Sequence, residues 1–330
     1  MARRTLTATA LILGLGALLT QGCASWRAAQ AEQTFPPVGE FVTVDGARVH
    51  YVRQGTGPDV VLIHGAGGNL RDFTFSLMGQ LAERYTVTAF DRPGLGYTDR
   101  VPGAPTGLLT ADAESPMDQA RFLRRAAAEI GIERPIVVGH SMGGIVAYAW
   151  ANAGLDEDSP ANAAAVVSFA GVTMPWPGDL GAYYTINGSV LGGALLVPLI
   201  AAFVPSGVVQ AAIDGTFAPQ PAPEGYAEHI GAPLTLRPAN FRANVRQVNT
   251  LRPHVVEMAR RYPELTLPIE IVHGTADTSV PIDIHAEEVI KIVPSARLTP
   301  LPGVGHMPHH VDAPAAIAAI DRAAERAGLR

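Results

Sequence analysis

One serine in the chain, Ser141, is placed for nucleophilic chemistry by its neighbours, Gly139-His140-Ser141-Met142-Gly143. The run fits the pattern Gly-x-Ser-x-Gly and stands between an apolar segment, residues 135–138, and a helical segment that begins at Met142. In a strand–turn–helix context this turn is sharp, and glycines flank the nucleophile to avoid clashes. The pattern also occurs by chance, so it is the context that predicts a nucleophilic serine.

A serine hydroxyl is unreactive at neutral pH without a base, and the base expected for this arrangement is a histidine late in the chain. His306 fits, because it follows the predicted strand 296–300 and the preceding glycine gives it local freedom. His309 and His310 are close competitors, either as loop histidines or, with His306, as a metal cluster. Nothing else in the sequence supplies a ligand set, so we predict no metal.

The third member must orient the imidazole and stabilise its cation. Asp277 lies just after the predicted strand 269–272, in a loop that leads into Val280 and Pro281. Asp283 is an alternative, although it is expected within the following helix. The sequence therefore predicts a catalytic triad of Ser141, His306 and Asp277.

A glycine-rich loop, His64-Gly65-Ala66-Gly67-Gly68, follows the predicted strand that ends at Ile63. Glycines there free backbone N–H groups to point at a developing oxyanion. The predicted donors are the N–H of Met142, just after the nucleophile, and the N–H of Ala66. The alternative is a flexible glycine turn with no catalytic role.

These residues must be positioned by a scaffold, and strand and helix signals alternate from Phe41 onward. Such alternation predicts a mostly parallel sheet wrapped by helices. The pattern stops over residues 172–265 and then resumes, which predicts a core of residues 39–171 and 266–330 with a cap inserted between them. The eight predicted strands are 41–44, 48–52, 59–63, 85–90, 135–138, 164–170, 269–272 and 296–300.

The cap contains a nearly continuous apolar stretch from Val190 to Val204, broken by Pro198. We predict that Leu195, Leu199 and Phe203 line an apolar substrate pocket. The alternatives are a buried packing helix and a lid that touches a membrane.

Residues 1–23 have the order of a secretory signal peptide: two arginines, an apolar run from Leu6 to Leu19, then small and polar residues. Cys23, the only cysteine, directly follows Gly22 and resembles the acylated cysteine of a bacterial lipoprotein, although Thr20 stands where leucine is usual. The resemblance implies a lipid anchor, sorting to the outer membrane facing the periplasm, and a polar tether over residues 24–38. The alternative is a soluble periplasmic or secreted protein.

Bulk composition excludes several other classes. Hydrophobic residues make up 48% of the 330 residues and charged residues 16%, so the chain can bury a large core and is not of a disordered type. The net charge is −6 and no basic run appears, which argues against a nucleic-acid partner. A single cysteine rules out a disulfide within the chain and a cysteine-rich zinc site.

Taken together, the motifs resemble those of the α/β-hydrolase superfamily, of the type with esterase and cofactor-free haloperoxidase-like members. The order serine, aspartate, histidine along the chain fits this superfamily. A serine in place of an aspartate at the turn argues against epoxide hydrolases and haloalkane dehalogenases. The matching pieces span residues 41 to 325 and are residues 64–68, 91–96 and 139–144, with Asp277 and His306.

The resemblance implies an α/β-hydrolase fold with a helical cap, and acyl transfer to water without metal or organic cofactor. The expected substrate is an ester of an apolar small molecule. Alternative reactions for the same triad are carbon–carbon bond hydrolysis, amide hydrolysis and perhydrolysis. A rival of another class is a catalytically silent, lipid-binding protein of the same fold.

Overall fold

A central sheet organises the protein in the computed structural model, which describes residues 2–330, with side chains from residue 14 onward. Its strands are β1 (Glu40–Val44), β2 (Ala47–Gln54), β3 (Asp59–Ile63), β4 (Thr86–Phe90), β5 (Ile136–His140), β6 (Ala165–Phe169), β7 (Ile269–Gly274) and β8 (Ala296–Leu301). The spatial order is β1-β2-β4-β3-β5-β6-β7-β8. The β1–β2 and β2–β4 pairs are antiparallel, and all other neighbours run parallel.

The predicted eight-stranded, mostly parallel sheet is confirmed, and each predicted strand overlaps an observed one. The central strands β5 and β6 are buried along their whole length. Strands covered on both faces read as continuous apolar runs, which is why the sequence showed them clearly.

Helices cover both faces of the sheet. They are α1 (Ala2–Thr34), α2 (Arg71–Thr74), α3 (Leu77–Leu81), α4 (Pro116–Glu129), α5 (Met142–Asp156), α6 (Gly181–Gly188), α7 (Val197–Phe203), α8 (Ser206–Phe217), α9 (Tyr226–His229), α10 (Pro238–Asn249), α11 (Leu251–Ala259), α12 (Ala286–Ile292), α13 (Pro308–Val311) and α14 (Ala313–Arg326). Helices α4, α5 and α12 pack into the core on one face, and α3 and α14 into the core on the other.

Ser115 followed by Pro116 and Asp118 predicts the start of a helix, and α4 begins there. The Ser115 side chain accepts from the backbone N–H of Asp118, while the Asp118 side chain accepts from the N–H of Ser115, and Pro116 occupies the first turn. This reciprocal capping box satisfies two N–H groups that would otherwise lack partners.

The sequence over residues 70–84 predicts a single helix, but the structure has two short helices there, α2 and α3. The break falls at a run of weak helix formers, Phe73 to Ser76. Phe75 packs edge-on against Tyr226 of α9, with ring centroids 5.4 Å apart. Contact with the segment between β6 and β7 therefore outweighs the local helical tendency.

The segment between β6 and β7, where the cap is predicted, contains the six helices α6 to α11. A π-helical turn, Gly192–Leu196, leads directly into α7. Among the described residues, no single helix has the length and hydrophobicity of a membrane span. Gly181–Gly188 and Gly192–Phe203 reach those values only as a pair, bent by 86°.

Residues 24–38, predicted as a tether, differ in the structure, because α1 continues as far as Thr34. Ala24 and Ala31 are buried, and Glu32 forms an ion pair with Arg237 of the cap at 2.8 Å. The alanines in this stretch favour a helix and let it lie close to the cap. Cys23 is exposed on the same helix.

Candidate active site

The turn that carries Ser141 is strained, as the Gly-x-Ser-x-Gly motif predicts. Ser141 has φ 53° and ψ −119°, a conformation that side-chain-bearing residues rarely adopt. A Cβ at Gly139 would overlap the carbonyl oxygen of Gly143, and a Cβ at Gly143 would overlap the carbonyl oxygen of Ile63. The two glycines let strand, turn and helix approach closely enough to hold the serine between β5 and α5.

The structure brings Ser141, His306 and Asp277 together in a line of hydrogen bonds. His306 Nδ1 lies 2.7 Å from Asp277 Oδ2, and His306 Nε2 lies 2.9 Å from Ser141 Oγ. An ionised carboxylate can only accept, so Nδ1–H donates to Asp277. Nε2 is then left as the acceptor for the serine hydroxyl, which is the arrangement that a general base requires.

Asp277 is held in its ionised form. Burial alone would raise its pKa, but hydrogen bonds from His273 and His306 and from the backbone N–H of Val280 bring the pKa well below the ordinary value. The other oxygen, Oδ1, accepts from the N–H groups of Ser279 and Val280 at 2.8 and 2.9 Å. The alternative, Asp283, is exposed and does not take this place.

The two predicted oxyanion donors, Ala66 and Met142, border the same cavity as Ser141. Met142 is the first residue of α5, so its N–H has no acceptor within the helix. The loop after β3 is fixed by the cap: Asn244 accepts from Gly67 N–H at 2.7 Å, and the Thr235 hydroxyl donates to Gly67 O at 2.6 Å. Sequence reasoning missed these two residues, because nothing local marks contacts across 177 and 168 residues of chain.

A cavity of about 550 Å³ opens beside Ser141. Of the described residues that line it, Asp179 is the only carboxylate and none is an arginine or a lysine. Most of the others are apolar: Ala66, Met142, Val172, Trp176, Pro177, Leu180, Tyr184, Val248, Leu251, Val280, Pro281 and Ile284.

The prediction that Leu195, Leu199 and Phe203 line the pocket is corrected by the structure. None of the three is among the described residues that border the cavity, and their exposed fractions are 61%, 43% and 56%. The helical segment that carries them buries its small residues instead, among them Ala201 and Ala202. Apolar composition alone does not show which side of a cap helix faces the substrate.

A buried hydrogen-bond network next to the triad could not be recognised in the sequence. Asp72 accepts hydrogen bonds from His310 Nε2 and Tyr226 OH, both at 2.7 Å, and from His309 Nε2 at 3.2 Å. Burial would raise the pKa of Asp72, but His309 and His310 hold it well below its usual value. His309 and His310, the alternatives to His306 as base, therefore donate hydrogen bonds to Asp72 instead.

His140 links this network to the triad. Its Nε2–H donates to the backbone carbonyl of His306 at 2.9 Å, and its ring lies 4.6 Å from that of His309. The network therefore positions the backbone of the candidate base.

One group of described residues has a geometry that could hold a metal ion. Asp72, His140 and His309 each offer one ligand atom, and these atoms lie within 4.8 Å of one another. The carboxylate of Asp72 already accepts three hydrogen bonds here. Those bonds account for the geometry without an ion.

We expect Asp72→Ala to lower the free energy of unfolding by about 3–5 kcal/mol, since it leaves three buried donors without an acceptor. Tyr226→Phe is the matched control. It removes one donor and should cost only about 2 kcal/mol. Urea denaturation measures both, and equal small losses would contradict a network centred on Asp72.

Buried histidines should make the protein sensitive to mild acid. Burial lowers the pKa of His64, His285 and His309 to about 4 each, and at His64 the nearby Arg92 guanidinium adds to the effect. The unfolded chain binds protons near pH 6.5, so between about 6.5 and 4 it holds more protons than the folded chain, and stability falls as pH falls. Each group contributes at most about 1.4 kcal/mol per pH unit. Thermal unfolding at pH 7 and pH 5.5 should show a clear drop in Tm, and equal Tm values would contradict neutral buried histidines.

The comparison with family models agrees with this fold. Residues 60–320 match the model of the alpha/beta hydrolase family. The chain therefore belongs to the alpha/beta hydrolase family.

Two relatives and one solved structure are similar to the chain. An uncharacterized protein of Mycobacterium tuberculosis is 30% identical over 284 residues, covering 84% of this chain and 78% of the relative. The 2-hydroxy-6-oxononadienedioate/2-hydroxy-6-oxononatrienedioate hydrolase of Cupriavidus pinatubonensis is 26% identical, covering 81% and 88%. The structure of a meta-cleavage product hydrolase from Pseudomonas fluorescens superposes with TM-score 0.68 at 19% identity, covering 88% and 99%, and shows the shared fold.

Proposed function

We propose that the protein is a serine hydrolase that cleaves an ester of an apolar small molecule. The observation that carries the proposal is the hydrogen-bonded line from Asp277 through His306 to Ser141 at the wall of an apolar cavity. Nucleophile, base and orienting carboxylate each lie within hydrogen-bonding reach of the next, as acyl transfer requires.

In the first half-reaction, Ser141 Oγ forms a bond to the ester carbonyl carbon while its proton passes to His306 Nε2. The carbonyl oxygen becomes an oxyanion, for which the N–H groups of Ala66 and Met142 are the donors. Asp277 stabilises the imidazolium that forms. The carbon–oxygen bond of the ester then breaks, and the proton on Nε2 goes to the leaving alcohol.

The second half-reaction returns the enzyme to its starting state. His306 takes a proton from water as the water oxygen attacks the acyl carbon. Collapse of the second oxyanion breaks the bond to Ser141 Oγ, which takes the proton back from Nε2. The products are a carboxylic acid and an alcohol, and no step needs a redox partner.

Carbon–carbon bond hydrolysis is the second candidate, favoured by the similarity to the hydrolase of Cupriavidus pinatubonensis. That relative's name describes a dioate, a substrate with two carboxylates. A cavity whose described lining holds Asp179 and no arginine or lysine is poorly suited to two negative charges. Cavity chemistry therefore favours a neutral ester.

Turnover of p-nitrophenyl esters of graded acyl length tests the proposal. In an apolar cavity kcat/KM should rise by up to roughly fourfold per added methylene until the space is full. Leu251→Ala enlarges the cavity and should move the optimum to a longer chain. Leu199→Ala, the same change outside the cavity, should leave it unchanged. A preference for acetyl esters in all three proteins would contradict an apolar acyl site.

We also propose that the protein is exported and held at the outer membrane by acyl chains on Cys23. Support comes from the order of segments in residues 1–23 and from the exposure of Cys23. In a bacterial host, metabolic labelling with a clickable fatty acid should mark the wild type, and Cys23→Ser should abolish the label. A wild type that carries no label would contradict lipidation.

A further inference from the structure

We propose that the outer face of the cap, defined here as the exposed side of α6, the π-helical turn and α7, lies on a lipid bilayer, and that the ester substrate is a lipid taken from that bilayer. The substrate class rests on the proposed hydrolase activity, and the docking surface rests on the proposed acylation of Cys23 together with the observations below.

The outer face of the cap is apolar and open. Leu191, Leu195, Leu199 and Phe203 are spaced four residues apart, and their exposed fractions are 72%, 61%, 43% and 56%. From Leu180 to Ile213 the sequence contains no charged residue. Contiguous apolar surfaces of this kind mark places where a protein meets a membrane or a partner.

The N-terminal helix α1 joins the outer face of the cap. Ala24 packs against Ala201 and Ala202 of α7, and the three form a small buried cluster. One turn further along α1, the Arg27 guanidinium donates to the carbonyl oxygen of Val204 at 3.1 and 3.2 Å. Whatever surrounds α1 at Ala24 is therefore in contact with the cap as well.

The position of Cys23 identifies lipid as the occupant. Cys23 is exposed and directly precedes Ala24, so acyl chains on this cysteine would enter the bilayer beside α7. Acyl chains anchor a protein to a membrane and not to a second protein copy. Trp26, 65% exposed, stands where an aromatic side chain favours the membrane–water boundary.

The outer face shares a helix with the cavity beside Ser141. On α6 Tyr184 lines the cavity, while Tyr183 and Ile186 are exposed, at 53% and 49%. Leu180, just before α6, also lines the cavity. An acyl chain that leaves the bilayer at this helix would have only the thickness of the cap to cross before it reached the serine.

The docking surface is tested without reference to activity. The protein as it is processed in a bacterial host, carrying the photo-crosslinking amino acid benzoylphenylalanine in place of Leu199, is reconstituted in vesicles of phosphatidylethanolamine and phosphatidylglycerol and irradiated. We expect lipid adducts by mass spectrometry. The control position is Leu155, 38% exposed in the last turn of α5, at the end of the sheet opposite the cap, and it should give none.

Two results would overturn the docking surface. Crosslinks from position 199 to a second copy of the chain would assign the face to a dimer. Equal labelling, or no labelling, at positions 199 and 155 would show no preferred contact with lipid.

The substrate class is tested with Leu199→Asp and its control Leu155→Asp. Against an ester embedded in vesicles, Leu199→Asp should lose on the order of tenfold in turnover, since a buried leucine contributes at least that factor. Its turnover of soluble p-nitrophenyl butyrate should equal that of the wild type. Equal activity of both variants on the embedded ester would overturn the substrate class. A wild type that captures lipid at position 199 but cleaves no ester would refute the proposed function alone.

Discussion

We expect Ser141→Ala to lower kcat for a p-nitrophenyl ester by roughly 10⁴- to 10⁶-fold, the range spanned by removal of single triad members. The change deletes the atom that attacks the carbonyl and leaves the cavity, His306 and the backbone N–H groups in place. A rate above that of uncatalysed hydrolysis should persist, because the oxyanion donors and substrate binding remain. Initial rates at saturating substrate measure the difference in kcat.

Ser279→Ala is the matched control for Ser141→Ala. Ser279 lines the same cavity, so the substitution removes a hydroxyl group from the same surroundings. Its turnover should stay within a few-fold of the wild type, and the thermal unfolding of both variants should show an intact fold. Turnover of Ser141→Ala comparable to that of the control would mean that this serine is not the nucleophile.

The second large effect is expected for Asp277→Asn, which should reduce kcat by roughly 10⁴-fold. The carboxylate accepts from His306 Nδ1–H at 2.7 Å and so leaves Nε2 free to take the serine proton. An amide can present its NH₂ group to Nδ1, which favours the tautomer with a proton on Nε2, where it cannot serve as base.

Asp283→Asn separates the two candidate acids. Asp283 is exposed and six residues further along, and its substitution should leave kcat unchanged. The reverse pattern, with Asp283→Asn inactive and Asp277→Asn active, would reassign the orienting carboxylate.

Much of the scaffold could be predicted from the sequence because its causes are local. Buried parallel strands read as apolar runs, and Ser115, Pro116 and Asp118 mark the start of α4 within four residues. The glycines around Ser141 are required by close backbone contacts across one turn. Elements with such local determinants were located within a few residues.

Features that depend on distant contacts were predicted less well. Whether Leu199 faces the cavity or the outside is decided by how α7 packs on α1, which composition does not reveal. Asp72 lies more than 230 residues before His309 and His310, and no local pattern links them. Residues 24–38 read as a polar tether, yet α1 continues to Thr34 with Ala24 and Ala31 buried.

Identification of the residue that a fluorophosphonate modifies tests the central claim most directly. Such a probe reacts only with a serine that is activated by a base, and fragment mass spectrometry locates the adduct. We predict one adduct, on Ser141, lost in His306→Ala because the base is then missing. An adduct on any other residue, or labelling that persists in His306→Ala, would contradict the assignment of Ser141 as a nucleophile activated by His306.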